Sequence, residues 1–252
     1  MEQLSAYIPM DRRQAMARGQ ELADRLSGAA LIADISGFTP LMEALARELG
    51  RRRGAEELTG HLNRVYDALI TELHQYGGCV ITFAGDAITC WLDGDDGRRA
   101  TACALAMQQV MSQFTEVVIP SGSTVSIAVK TAVAVGTARR FVVGSADIQL
   151  IDVLAGDMLE DLADAAGLAG KGDVVLTPEA AACLESELIV ASWRAHPQSG
   201  VLFAVASGLK TAVPHQPWPP LPDTFTEEQI RPWLLPTVYD RLRHGRGEFL
   251  AE

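Results

Sequence analysis

A short apolar stretch with one acid near its middle restricts the fold of this chain more than any other feature. The stretch is CVITFAGDAITCWL, residues 79–92 of 252, and its acid is Asp86. Strand-forming residues stand on both sides of the pair Gly85 and Asp86, and a two-residue turn of this kind is typical of an antiparallel hairpin. The stretch therefore predicts two buried strands with Asp86 in the turn that joins them.

A second apolar run, ALIADISGFT at residues 30–39, also carries one acid, Asp34, and continues into Gly37. If the two strands are neighbours, the carboxylates of Asp34 and Asp86 converge at one edge of the sheet. Paired carboxylates suit Mg²⁺ or Mn²⁺, which prefer oxygen ligands. The ISGFT loop before a helix adds backbone N–H groups for phosphate. The alternative is structural: Asp34 caps the following turn and Asp86 is only a hairpin-turn residue.

The rest of the chain alternates helical and strand patterns. Residues 39–78 predict two helices, because apolar residues recur at helical spacing in the second half. After the hairpin come an amphipathic helix, a β-rich run TVSIAVKTAVAVG, the strands RRFVVG and DIQLIDV, another helix, and a strand with a short helix. The order β-α-α-β-β-α-β-β-β-α-β favours an α+β fold with helices packed on a mainly antiparallel sheet.

Charge and cysteine content exclude several classes of function. The formal net charge of -11 argues against nonspecific binding to nucleic acid or to an anionic membrane. The four cysteines are scattered without a CxxC or Cys/His cluster, so neither a zinc site nor a disulfide framework is indicated. A reduced, cytoplasmic setting fits this pattern. We find no signal peptide and no apolar run long enough to span a membrane.

The segments ADISGFT and GGCVITFAGDAITCW, about fifty residues apart, resemble the class III adenylyl/guanylyl cyclases. The resemblance covers about residues 28–205 and is closest to the first cyclase domain of soluble-adenylyl-cyclase-like tandem proteins. It implies a ferredoxin-like (βαββαβ) sheet with helices packed on it. It also implies conversion of ATP, or of GTP as the other possibility, to the cyclic nucleotide and pyrophosphate.

The resemblance assigns roles to residues near the two acids. In the family, the aspartates that match Asp34 and Asp86 hold two Mg²⁺ or Mn²⁺ ions, and the backbone matching Ile35 supplies a further ligand. Lys130 matches a basic strand residue that meets the phosphates, although a lysine snorkelling from a sheet edge is an equal alternative. The positions implied in phosphate binding are Ser36, Gly37, Phe38, Thr39 and Lys130.

The half of the site that a partner domain would use departs from the family pattern. The base-selecting lysine falls on Thr82, and the asparagine and arginine of the N-x-x-x-R helix fall on Glu160 and Asp164. A carboxylate in place of that arginine repels the transferring phosphate. We therefore expect this chain to be the metal-donating half of a site completed by another cyclase domain. Bicarbonate binding is not expected by the family's route, because its lysine and arginine fall on Thr82 and Ala163.

Composition divides the chain into a lead-in at residues 1–27, the cyclase domain at 28–207, and a proline-rich linker at 208–252. The ending GRGEFLAE resembles the segment that leads into a second cyclase domain, so we expect one to follow. Trp218 and Trp233 either dock the linker on the domain or belong to a plain tether.

Three other functions compete with a working cyclase. A catalytically inactive pseudo-cyclase would keep the fold as a regulatory or nucleotide-binding module. A plain interaction domain would use the two acids only as turn residues. A diguanylate cyclase would need a GG[DE]EF hairpin, which FAGDA does not supply.

Overall fold

A computed structural model describes residues 2–221 and 225–244 and shows a central sheet with helices on both faces. The strands are β1 (Arg25–Ser36), β2 (Cys79–Ala84), β3 (Ala87–Asp93), β4 (Glu116–Val118), β5 (Thr124–Ser126), β6 (Ala128–Ser145), β7 (Gln149–Ala155), β8 (Val174–Leu176), β9 (Leu188–Ala195) and β10 (Leu202–Leu209). The helices are α1 (Glu2–Ser5), α2 (Met10–Ala17), α3 (Phe38–Leu49), α4 (Arg51–Gln75), α5 (Arg98–Met111), α6 (Met158–Leu168), α7 (Pro178–Cys183), α8 (Glu227–Ile230) and α9 (Pro236–Arg243).

The main sheet has the order β2-β3-β1-β6-β8-β10-β9, and β7 pairs with the far half of β6. All of its pairings are antiparallel except that between β6 and β8. The predicted α+β class and mainly antiparallel sheet are confirmed. Strand β1 lies between β3 and β6, so the two predicted strands that carry Asp34 and border Asp86 are direct neighbours.

The two faces of the sheet are covered by different helices. Alternate residues of β1, from Ala29 to Ile35, contribute to a core under α3, α4 and α5. The residues between them, such as Ala30 and Ile32, face the opposite side, where α6 packs. Because side chains alternate along a strand, Asp34 lies on this second face.

Gly50 separates the first two long helices, as the predicted pair requires. Gly50 is the last cap residue of α3 and the first cap residue of α4. Its φ of +79° is a backbone angle that glycine adopts with less strain than other residues. Helix α4 then runs for 25 residues and ends before Gly77. Its Val65, Leu69 and Leu73 are buried in the core, so the helix is fixed firmly to the sheet.

The segments on both sides of the cyclase-like region pack against one another. A group that we call the terminal cluster joins α1 and α2 with residues 225–239, and its buried members are Leu4, Ile8, Phe225, Ile230, Trp233, Leu234 and Tyr239. Trp218 donates its indole N–H to the carbonyl oxygen of Gly78 at 2.7 Å. Trp218 and Trp233 are therefore both docked, as the first of the two alternatives expected, and neither belongs to a plain tether. Residues 222–224 and the GRGEFLAE segment lie outside the described residues.

Two strand predictions need correction. RRFVVG is not a separate strand, because β6 runs without interruption from Ala128 to Ser145 and pairs first with β1 and then with β7. Arg139 and Arg140 fall in the middle of this strand, where Asp24 pairs with Arg139 and Asp152 pairs with Arg140. Strands β9 and β10 were not predicted, because exposed apolar residues such as Trp193 and Leu202 obscure their alternation.

The helices were also searched for membrane-crossing character. Within residues 2–221 and 225–244, none has the combination of length and apolar content that crossing a bilayer requires.

A buried ion network fastens α2 to the sheet. The guanidinium of Arg140 is 2% exposed and hydrogen-bonds to Asp11 of α2 at 2.9 Å and to both carboxylate oxygens of Asp152 at 3.0 Å. Arg12 adds a second cation on Asp152, 2.5 Å away, and lies over the ring of Trp233. Burial opposes ionisation of Asp152, but the hydrogen bonds from the two arginines outweigh it and lower its pKa.

We predict that Arg140→Met lowers the free energy of unfolding by about 3–5 kcal/mol, because it strands buried carboxylates without their main cation. The matched control is Arg139→Met, whose ion pair with Asp24 is more than half exposed. An exposed pair of that kind contributes at most about 1 kcal/mol. Urea unfolding of both variants measures the difference, and equal midpoints would contradict the structural role of the network.

His74, in the last turn of α4, predicts a pH-dependent stability. Burial, and then the charge of Arg13, lower its pKa to about 4. An unfolded histidine titrates near pH 6.5, so between these values the unfolded chain binds a proton that the folded chain does not. Stability from His74 is therefore complete above about pH 6.5 and is lost as the pH falls towards 4.

The expected loss between pH 7 and pH 4.5 is about 2 kcal/mol. His74→Gln should remove this part of the pH dependence. Urea unfolding of both proteins at the two pH values provides the measurement. Parallel losses in the two proteins would show that His74 is not its source.

Candidate functional site

Strand pairing brings the two predicted acids together. Asp34 stands opposite Ala87 in the β1–β3 ladder, and Asp86 is the residue immediately before Ala87. The backbone N–H of Ile35 donates to the carbonyl oxygen of Asp86 at 3.1 Å. The backbone, rather than side-chain packing, therefore sets the relative positions of Asp34 and Asp86.

Asp34 is not a cap. Gly37 occupies the cap position of α3 without a side-chain hydrogen bond. The Asp34 carboxylate instead contacts the ammonium of Lys130, with 2.9 Å between Oδ2 and Nζ. Lys130 stands directly opposite Asp34 in the β1–β6 ladder. Both side chains are a little over a quarter exposed, so the pair is open to solvent and to a ligand.

The loop after β1 depends on a glycine. Gly37 has a φ of +105°, and a Cβ there would lie 2.3 Å from the carbonyl oxygen of Ser126. Only glycine accommodates both the backbone angle and this close approach. As a result α3 begins directly after the strand that carries Asp34. The positive end of the α3 dipole is therefore only a few residues from Asp34 along the chain.

The other predicted phosphate-binding residues offer mainly backbone atoms. The side chains of Ile35 and Phe38 are buried, so only backbone atoms of these residues could meet a ligand, and the N–H of Ile35 already donates to Asp86. The hydroxyl of Ser36 donates to the carbonyl oxygen of Ala128 at 3.4 Å. Thr39 is exposed, and the N–H groups of Phe38 and Thr39 are in the first turn of α3, where helix geometry provides no acceptor.

Tyr66 of α4 also contacts this site, although no sequence pattern points to it. Its hydroxyl donates to the carbonyl oxygen of Gly85 at 3.2 Å, and its ring meets Phe83 edge to face at 5.5 Å. Burial raises the pKa of Tyr66, and the charges of Asp86 and Asp34 raise it further. Only the fold could show that this helix passes beside the hairpin turn.

The donor set fits a hard divalent cation if a ligand completes it. Two carboxylates and a neighbouring backbone carbonyl provide oxygen atoms, which Mg²⁺ and Mn²⁺ prefer. The contact of a lysine ammonium with Asp34 shows that the position accepts a cation. Among the described residues, no group of three or more His, Cys, Asp or Glu side chains could hold a metal ion. Phosphate oxygens would have to supply the remaining ligands.

The predicted partner-half positions lie on or beside α6. Thr82 lines a cavity of about 340 Å³ between the sheet and α6, together with Ile32, Leu159 and Leu162. Glu160 is exposed on α6, and the Asp164 carboxylate lies 3.7 Å from the ring of His196. These two acids thus face solvent or a neighbouring side chain rather than the Thr82 cavity.

The exposed face of α6 is acidic. Partial burial, followed by repulsion from Glu179, Asp164, Glu160 and Asp157, raises the pKa of Asp161. A surface that already disfavours one more negative charge is poorly suited to a triphosphate. The region around Asp34, Asp86 and Lys130 is therefore a better candidate than the α6 surface for binding a triphosphate together with its metal ions.

We predict that Lys130→Met strengthens Mn²⁺ binding about five- to tenfold, because it removes a positive charge that competes for Asp34. The control is Lys171→Met, which removes an equal charge from an exposed turn. Titration of the chain with Mn²⁺, followed by electron paramagnetic resonance, measures the affinities. Weaker binding by the Lys130 variant than by the control would contradict a cation site at Asp34.

Comparison with known proteins adds sequence and structural relatives. No protein-family profile matches the chain. Rat adenylate cyclase type 10 is 26% identical over 154 residues, which are 60% of this chain and 9% of the rat protein. The human protein of the same name is 37% identical over 65 residues, 26% of this chain and 4% of its own length. The chain thus spans less than a tenth of the curated relatives that it matches.

Solved structures of cyclase domains share the fold. The light-regulated adenylyl cyclase of a bacterium matches with a TM-score of 0.62 and 17% identity, over 82% of this chain and 59% of that chain. The dimeric guanylyl cyclase domain of Blastocladiella emersonii gives 0.59 and 15%, over 75% and 100%. The adenylyl cyclase CyaB of P. aeruginosa gives 0.58 and 17%, over 75% and 96%. The chain has the fold of class III nucleotidyl cyclase catalytic domains, as its resemblance implied.

Proposed function

We propose that this chain is the metal-donating half of a class III nucleotidyl cyclase that converts ATP to cyclic AMP and pyrophosphate. The observation that carries the proposal is the adjacency of Asp34 and Asp86 on neighbouring strands, fixed by the hydrogen bond from Ile35 to Asp86. Sequence similarity to proteins named adenylate cyclase type 10 supports ATP as the substrate. Guanylyl cyclase domains share the fold, so GTP is the competing substrate.

In the proposed reaction the ribose 3′-oxygen forms a bond to the α-phosphorus and pyrophosphate leaves with the electrons of the broken P–O bond. The proton of the 3′-hydroxyl passes to solvent. Asp34 and Asp86, with the carbonyl of Ile35, would hold two Mg²⁺ or Mn²⁺ ions. When bound, such ions lower the pKa of the attacking hydroxyl and neutralise the triphosphate.

The chain's own groups would orient the triphosphate. The first-turn N–H groups of Phe38 and Thr39 face an anion favourably, because they lack helical partners and lie at the positive end of the helix dipole. Lys130, whose ammonium lies 2.9 Å from the Asp34 carboxylate, would supply positive charge to the triphosphate. Such positioning and charge neutralisation supply most of the catalysis expected here.

A complementary cyclase domain would supply the rest of the site. Thr82, Glu160 and Asp164 do not provide base recognition, ribose binding or a cation for the transition state. Two copies of this chain would therefore build two metal halves and no complete site. We propose that the complementary domain follows in the same full-length protein, in keeping with the tandem cyclase proteins that the sequence resembles.

The first experiment compares cyclic AMP formation from Mn²⁺–ATP by this chain and by a protein extended through the next domain. We expect turnover only from the extended protein. Activity of the short chain alone would show that Glu160 and Asp164 are wrongly assigned to the catalytic helix.

We predict that Asp34→Asn or Asp86→Asn lowers turnover of the assembled enzyme more than about 100-fold, because each removes a charged metal ligand. The control is Asp67→Asn, an exposed acid on α4. Retention of more than a few percent of activity by either site variant would refute the metal role. Mn²⁺ binding without formation of cyclic AMP or cyclic GMP would favour the pseudo-cyclase alternative.

A further inference from the structure

The tip of the β2–β3 hairpin needs support from outside the hairpin. Its ladder ends at the pair Ala84 and Ala87, so Gly85 and Asp86 lie beyond the last paired residues. Gly85 has a φ of +65°, no Cβ, and nothing within 4 Å of where a Cβ would be. A two-residue tip with these properties has little packing of its own to hold the Asp86 side chain in one direction.

Two contacts restrain this tip from opposite sides. The N–H of Ile35 donates to the carbonyl oxygen of Asp86 at 3.1 Å, and the hydroxyl of Tyr66 donates to that of Gly85 at 3.2 Å. The first contact comes from the strand that carries Asp34, whereas the second comes from α4. The two peptide units that flank the Cα of Asp86 are thus held, one by the helix and the other by the sheet.

Helix α4 is a rigid source for the second contact. Val65 and Leu69, on either side of Tyr66, are 1% and 0% exposed in the core under the sheet. The Tyr66 ring also meets Phe83 at 5.5 Å with an interplanar angle of 85°, an arrangement that aromatic pairs favour. Phe83 is 57% exposed, and the Tyr66 ring covers part of it.

We infer that Tyr66 is a positioning residue that aims the Asp86 carboxylate towards Asp34 by holding the Gly85 carbonyl. The inference rests on the proposed function, because it concerns the same metal site. Tyr66 itself need not touch the metal or the nucleotide. Its hydroxyl fixes the backbone from which Asp86 projects, and its ring keeps Phe83 and the end of β2 against α4.

The test measures Mn²⁺ binding to the chain as it exists, by titration and by the paramagnetic resonance spectrum of the bound ion at saturation. Tyr66→Phe keeps the ring contact and removes the hydroxyl. We expect about three- to tenfold weaker binding, as for loss of one hydrogen bond, and an altered spectrum at saturation. Phe83→Leu keeps the hydroxyl contact and should change both readouts less.

Tyr76→Phe is the matched control, since it removes a hydroxyl from the residue that caps the end of α4, about 15 Å further along the helix axis. A saturated spectrum of Tyr66→Phe identical to that of the unaltered chain would overturn the inference, whatever its thermal stability. If Asp86→Asn abolishes binding while Tyr66→Phe binds normally, the metal site stands and only the positioning role fails. If Asp86→Asn binds Mn²⁺ normally, the metal site and the positioning role both fail.

Discussion

Strand β1 forms ladders with β3 on one side and β6 on the other, and the candidate site depends on the register of both. One ladder places Asp34 opposite Ala87 and so next to Asp86. The other places Asp34 opposite Lys130. Because side chains alternate strictly along a strand, a slip by one residue in either ladder would turn the partner to the opposite face. Backbone pairing therefore sets the positions of Asp34, Lys130 and the hairpin turn relative to one another, and the side chains of Asp34, Asp86 and Lys130 supply the charge.

Two regions on the same face of the sheet differ in the chemical groups that they offer. Near Asp34 the structure combines carboxylates, a lysine and the beginning of a long helix. Near Thr82 it offers a cavity lined largely by apolar side chains and an acidic outer surface on α6. This contrast underlies the proposal of a half-site, since one side suits a metal and a triphosphate whereas the other lacks groups that stabilise developing negative charge.

The sequence predicted the parts of the fold that have strong local patterns. The hairpin around Gly85 and the two helices within residues 39–78 follow from apolar periodicity and turn residues. The proximity of Asp34 to Asp86 follows only if their strands are neighbours, which the sequence did not establish. Tyr66 could not be found in this way, because its contact with Gly85 joins residues 19 positions apart through tertiary packing. The full length of β6 was missed for a similar reason. Arginine at position 140 suggests solvent until Asp11, 129 residues away, is seen to neutralise it.

The terminal cluster can be considered as a mechanical coupling. Trp233 is held by a cation–π contact with Arg12 of α2, and its carbonyl oxygen accepts a hydrogen bond from Gln149 of β7 at 3.3 Å. Arg12 forms an ion pair with Asp152 of β7, and Asp152 also forms one with Arg140 of β6. A pull on residues 231–243 would thus load β7 and then β6, the strand that carries Lys130. A force on that segment would therefore reach the strand beside Asp34 through the contacts of Trp233, Arg12, Asp152 and Arg140.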